Sequence, residues 1–135
     1  MKGVGDIVGG VSAYEAGKFT RRAMRTNATN SERDGAAQAG RIRDAARLQI
    51  GRQITGMAGS GFALDGSAKD AILESFIEAQ LDQETVRRQA TSQAQGYRLQ
   101  GEMAYAQGHN AMVGGFISGA AKMFETAANY AGAGG

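Results

Sequence analysis

The stretch Gly56-Met-Ala-Gly-Ser-Gly-Phe-Ala-Leu-Asp-Gly-Ser67 decides how this chain folds. On each side of it runs a long segment rich in Arg, Gln and Ala with helical spacing of its apolar residues. Inside it, four glycines and two serines interrupt that spacing, which marks a chain reversal between two helices. Asp65-Gly-Ser67 reads as a turn followed by a helix N-cap at Ser67. Asp70, three residues on, fits the looser acidic form of the capping signal. Phe62 and Leu64 are too apolar for an idle loop and are expected to plug the open end of the hairpin. The predicted fold is all-α: a long antiparallel helical hairpin with its turn near residues 58–66.

Working outward, the first arm is predicted over residues 29–57. Ala39, Ile42, Ala46, Ile50, Ile54 and Met57 step by three or four and make one stripe. Arg43 and Arg47 flank that stripe, whereas Arg41 and Arg52 point away from it. The second arm begins at Ser67 and extends toward residue 107. Ile72, Phe76, Ala79, Gln83, Val86, Ala90, Gln93, Tyr97 and Gln100 alternate four and three, a heptad-like seam softened by glutamines. Leu73, Ile77 and Leu81 form a second stripe well round the helix. Asp70, Glu74, Glu78 and Asp82 make an i+4 acidic row on the same far side.

Like charges at i+4 repel on an isolated helix. Two readings stand for the row: a solvated face, or a surface matched by a neighbouring copy. The Leu73/Ile77/Leu81 stripe needs a cover, and Arg41 and Arg52 are the expected counter-charges from that neighbour. A ring or bundle of hairpins answers both needs.

Composition agrees with thin helical packing. The chain has no proline, so nothing removes a backbone donor from a long helix. Aromatics are 7% of its 135 residues, too few for a thick core, so burial is expected to be completed by other subunits. Cysteine is absent, which excludes a disulfide framework and thiol chemistry. Net charge is +2 but uneven: residues 18–52 carry nine basic groups against three acids, and residues 65–84 carry six acids against Lys69. That asymmetry calls for a partner surface of opposite sign.

The ends differ from the arms. Residues 1–28 are glycine-rich, weakly apolar and then basic. Residues 108–135 are glycine-rich and apolar, and with residues 29–107 they complete a three-part division. Asp6 and four glycines make the first ten residues a poor secretory signal, and the chain reads as made in water-soluble form. From Met103 to Ala121 no residue carries a formal charge if His109 is neutral. The apolar run at 111–121 is too short to span a bilayer alone. Gly115 and Gly119 form a small-xxx-small pair, as do Gly5 and Gly9. These ends read either as glycine-rich packing or tails, or as segments that meet a membrane through Val113, Phe116, Ile117 and Phe124. Folding at the turn brings both ends together, opposite the tip.

No catalytic or metal site assembles from these residues. His109, the sole histidine, lies in Gln107-Gly-His-Asn110, where a helix break or polar surface is expected. Metal-ligand spacing is lacking, and one helix face does not converge carboxylates on a cation. Gly59-Ser-Gly61 lacks the Lys-Ser/Thr of a phosphate loop. The arginines at 21–25 and 41–52 support at most non-specific contact with nucleic-acid phosphates. No enzyme and no cofactor is expected.

Taken together, the Arg/Gln/Ala-rich helix, Gly59-Ser-Gly-Phe-Ala-Leu-Asp-Gly-Ser-Ala-Lys-Asp70, the helix Ile72-Leu-Glu-Ser-Phe-Ile-Glu-Ala-Gln-Leu-Asp82, the Tyr97/Arg98 continuation and the glycine-rich C-terminus show a resemblance. Over roughly residues 35–120 the chain resembles the small internal virion (ejection) proteins of short-tailed bacteriophages. The resemblance implies a homo-oligomer packaged in the virion interior near the portal. It implies partners among larger ejection proteins and portal or tail components, and a move to the host envelope, where the assembly forms a conduit for genome delivery. This chain is short for that family and lacks a long polar tail. A structural core, adaptor or tail-collar protein of the virion is the competing reading.

Overall fold

The computed structural model describes residues 2–61 and 66–132 (Lys2 by its backbone alone) and contains two helices, α1 from Lys2–Gly59 and α2 from Gly66–Gly132. They pack antiparallel as a hairpin, with no strand among the described residues. Gly61 ends the first helix. Its φ of +72° is the left-handed conformation that glycine adopts without a Cβ penalty, and its N–H donates to the Ala58 carbonyl at 3.4 Å. Phe62, Leu64 and Asp65, expected at the hairpin tip, lie outside the described residues. Ser67 stands one residue inside α2 rather than at its cap, because the helix already starts at Gly66.

Neither end is a separate segment. α1 runs through residue 28 without interruption, and α2 runs through Gln107-Gly-His-Asn110, so no helix break occurs at His109. A helix interior glycine costs about 1 kcal/mol relative to alanine. Helices with this much glycine therefore depend on what they pack against. The helix-to-helix contacts group into two units: the first 27 residues with residue 95 onward, and residues 28–94.

The first unit is held by glycine. Facing α2, Gly3, Ile7, Gly10, Tyr14, Gly17, Arg21 and Met24 alternate four and three, a seven-residue period. From α2, Gly101, Tyr105, Gly108, Met112, Gly115 and Gly119 answer with the same alternation. The register is explicit: Gly3 meets Gly119, Gly10 meets Met112, Gly17 meets Tyr105, and Gly101 meets Met24 and Arg21. A Cβ on Gly17 would fall 2.7 Å from the Ala104 carbonyl oxygen, and one on Gly108 would fall 2.6 Å from that of Ala13. Backbone meets backbone there, with no side-chain tip to move aside. Gly5 and Gly9, grouped with this packing on sequence spacing, have nothing within 4 Å of where a Cβ would stand and take no part in it.

The second unit is held by alanine and uses another period. Ala28, Ser31, Gly35, Ala39, Ile42, Ala46, Ile50, Gln53 and Met57 turn inward from α1, and Ile72, Ser75, Ala79, Gln83, Val86, Ala90 and Ala94 from α2. Their steps follow three, four, four, an eleven-residue repeat of 3.67 residues per turn. A strict four-three seam drifts off this stripe. Phe76, Gln93 and Gln100, expected in the seam, are exposed; Ser75, Ala94 and Gly101 take their places. Ile54, expected in the first-arm stripe, is likewise exposed, and Gln53 turns inward. At the tightest point Gly35 leaves room for Ala90, and Ser31 Oγ donates to the Ala90 carbonyl at 3.2 Å.

This packing sets a graded response to one substitution. Gly17→Ala and Gly108→Ala force the helices apart and are expected to lower the melting temperature, since overpacking costs about 1–3 kcal/mol. Gly5→Ala and Gly9→Ala meet open space and are expected to raise it, each adding about 0.5–1 kcal/mol of stability. Thermal melts followed by circular dichroism check the opposite signs.

Candidate interaction surfaces

Alanine and glycine at the seams leave little side chain to bury. The buried apolar residues are Ala28, Ala39, Ala90 and Ala94, and no large side chain is fully enclosed among the described residues. The large apolar side chains therefore stand on the outside, and their distribution marks the surfaces that a partner would meet.

In the second unit the sequence-predicted interface residues Arg41, Arg52, Asp70, Leu73, Glu74, Ile77, Glu78, Leu81 and Asp82 are all exposed. None of the acidic row forms an ion pair among the described residues. Glu78 and Asp82 line a shallow cleft with Ile42, Ala45, Gln49 and Ser75. Arg43 and Arg47 line another, with Ile50, Phe76 and Gln80. Ala46 and Ala79 border both clefts, so the two lie on opposite sides of the same helix contact. One cleft is thus lined by carboxylates and the other by guanidinium groups, of which Arg43 also pairs with Asp44 at 3.3 Å. Geometry adds Arg43 and Arg47 to Arg41 and Arg52 as candidate counter-charges for a second copy.

In the first unit, Val4, Val8 and Val11 are exposed at i, i+4, i+7 spacing on one flank of α1. On α2, Val113, Phe116 and Met123 are exposed, with Ile117 at 66% and Phe124 at 77% further round. Gly3 and Val4 share an open concavity of mixed character with Lys122, Met123, Glu125 and Tyr130. The four residues singled out as membrane contacts, Val113, Phe116, Ile117 and Phe124, all belong to this exposed apolar set. An ion pair between Lys122 and Asp6 ties the two helices in the same region.

Next along the unit comes an aromatic cluster. The Tyr14 and Tyr105 rings lie 5.7 Å apart, and the His109 ring lies 6.2 Å from the first and 6.4 Å from the second. The two tyrosine hydroxyls are 3.4 Å apart, and this hydrogen bond raises the Tyr14 pKa above its ordinary value. Basic groups cover the rings: the Lys18 ammonium is 5.2 Å from the Tyr14 centroid, and the Arg21 guanidinium 3.9 Å from that of Tyr105. Glu102 accepts from Arg25 at 2.9 Å and lies 3.6 Å from Arg21.

Among the described residues no group of acidic, histidine or cysteine side chains is arranged to hold a metal ion, and no helix is long and apolar enough to cross a membrane. No family model, curated protein or solved structure matches the chain.

Sequence reasoning picked out Gly115 and Gly119 but missed the rest of the first unit's glycine seam. Gly3, Gly10 and Gly17, and again Gly101, Gly108 and Gly115, recur every seven residues, and that period was present to be counted. The Tyr14/Tyr105/His109 cluster joins residues some ninety positions apart, and only the antiparallel register reveals it.

An apolar side chain on the outside contributes little to folding. Ile117→Gln and Phe124→Gln are expected to change stability by less than about 0.5 kcal/mol, the usual range for surface positions. Urea denaturation followed by helical signal checks this; a loss several-fold larger would place these side chains in a core.

Proposed function

We propose that this chain is an internal virion (ejection) protein of a short-tailed bacteriophage that self-assembles and helps form a conduit across the host envelope for genome delivery. The observation that carries the membrane part of this reading is the inverted first unit, with glycine between its helices and valine, phenylalanine and isoleucine outside. Water penalises such a surface by roughly 25 cal/mol for each Å² of apolar area left uncovered. Lipid or neighbouring copies relieve that penalty. The phage setting is supported by the sequence resemblance over residues 35–120, and assembly by the carboxylate-lined and guanidinium-lined clefts on the two sides of the second unit's helix contact.

Association of the acidic side of one copy with the basic side of the next is a head-to-tail contact, the kind that closes rings. Glu74→Lys with Glu78→Lys is expected to reduce the sedimenting mass at low salt while the chain stays helical. The difference should narrow at high salt, where screening weakens exposed charge pairs. Unchanged mass at low salt would return the acidic row to plain solvated surface.

The charged clefts of the second unit, which suit contact between copies without lipid, also fit the second reading, a structural core, adaptor or tail-collar protein. Vesicle leakage separates the two. One copy binds lipid weakly, because Gly114, Gly115 and Gly119 add no apolar area, but an assembly multiplies weak contacts through effective concentration. Leakage is expected to rise steeply with protein concentration and to fall with Phe116→Asp or Ile117→Asp. A parent chain that never permeabilises vesicles, or Asp variants as active as the parent, would favour the structural reading. Retention of the protein in DNA-emptied particles would do the same.

A further inference from the structure

The first unit has a graded chemistry along its length. Nearest the chain ends lie the exposed Val4, Val8 and Val11 with Val113, Phe116 and Met123. Tyr14, Tyr105 and His109 follow, and beyond them come Lys18, Arg21, Arg22 and Arg25. A helix pair lying flat on a bilayer would present these apolar, aromatic and basic side chains to it together. Amphipathic rings settle at the headgroup level, and basic groups beside them meet anionic lipid phosphates.

Resting on the membrane reading above, we propose that this unit docks by its Val4/Val8/Val11 flank onto a membrane surface rich in anionic phospholipid. Tyr14, Tyr105 and His109 lie at the interface, and Lys18, Arg21, Arg22 and Arg25 form a collar for lipid phosphates. Charge selects this occupant. Residues 15–25 with 98–109 hold five basic groups against Glu15, which pairs with Lys18, and Glu102, which Arg21 and Arg25 share, so a net of +3 remains. The apolar stretch beyond them holds few charges, and two of these, Asp6 and Lys122, pair with each other. Asp6 is two residues from both Val4 and Val8, which turns it onto the other flank of α1, away from the docking face.

Docking by a flank lays the helix pair along the interface, so the collar sets the lipid preference.

The test uses the full chain with phosphatidylcholine vesicles and with phosphatidylcholine–phosphatidylglycerol vesicles. Each basic residue at an anionic surface strengthens binding about fivefold. Lys18→Gln with Arg22→Gln is expected to weaken binding to the anionic vesicles by about 25-fold and to change binding to the neutral ones little. Helical content of the variant is compared first, and a salt titration of the parent tests the collar without any substitution. Because the chain has no tryptophan, Val8→Trp and Leu48→Trp report position. The Val8→Trp emission is expected to shift to the blue on vesicles and the Leu48→Trp emission to stay put. Equal, salt-independent binding of parent and variant to both vesicle types would overturn the collar and leave the membrane reading standing. Equal shifts at Val8→Trp and Leu48→Trp would overturn the assigned face. No binding to either vesicle would overturn the membrane reading and this inference with it.

Discussion

Contact between glycine and the opposing backbone is the constraint on which the first unit depends. At Gly17, Gly108 and Gly115 a methyl group would fall within 2.7 Å of a carbonyl oxygen of the facing helix. Helices this close gain dispersion along their whole contact, and glycine Cα–H groups lie beside carbonyl oxygens, a weak but recurrent attraction at helix–helix interfaces. The cost is twofold. Each glycine weakens its own helix, and none contributes apolar side chain to a core. The apolar residues that another hairpin would bury between its helices are consequently displaced to the surface. Fold and surface are therefore one fact: a seam of glycine entails an apolar exterior.

The two units solve the pairing problem with different periods. A seven-residue repeat keeps the stripe at 3.5 residues per turn and favours left-handed winding, whereas an eleven-residue repeat gives 3.67 and favours the weaker, opposite hand. The ideal helix lies between them at 3.6. Each period suits its side chains. Glycine every seventh position needs strict recurrence, because one misplaced Cβ collides with backbone. Alanine, glutamine and isoleucine in the second unit tolerate a broader stripe. Gln53 and Gln83 illustrate this, since both face inward there although neither is apolar.

How much of this was legible in the sequence differs from feature to feature. The helical hairpin was, because the Gly/Ser cluster at 56–67 separates two periodic runs and no proline interrupts either. Exposure of Leu73, Ile77 and Leu81 was also legible, since they sit away from the main stripe. The seam of α2 was read correctly at Ile72, Ala79, Gln83, Val86, Ala90 and Tyr97 and missed at Phe76, Gln93 and Gln100. A four-three template cannot follow a three-four-four repeat, and large side chains such as Phe76 draw attention away from small ones such as Ser75. At the ends, the glycine packing at Gly115 and Gly119 and the meeting of the two termini were legible, and the unbroken helices were not, for a related reason. Glycine lowers helix propensity, so Gly-rich ends look like tails or breaks when each is read alone. Tertiary context overrides that propensity once Gly3, Gly10 and Gly17 meet Gly119, Met112 and Tyr105.

The separation of properties between the units bears on how one small chain would serve both assembly and surface contact under the proposed function. In residues 28–94 a carboxylate-lined and a guanidinium-lined cleft flank the helix contact, which under the proposed reading would suit contact between copies. Apolar area in the other unit lies on faces that a closed monomer cannot cover. An assembly through the charged sides would gather many apolar faces at once, so weak contact by each copy becomes strong contact by the set. The glycine seam contributes here as well. By keeping the helix pair slim, it lets the Val4/Val8/Val11 flank and the Val113/Phe116/Met123 set lie close enough to act as one surface. Larger residues in the seam would spread the helices and separate those side chains, so the same glycines that hold the pair together also define the face it presents.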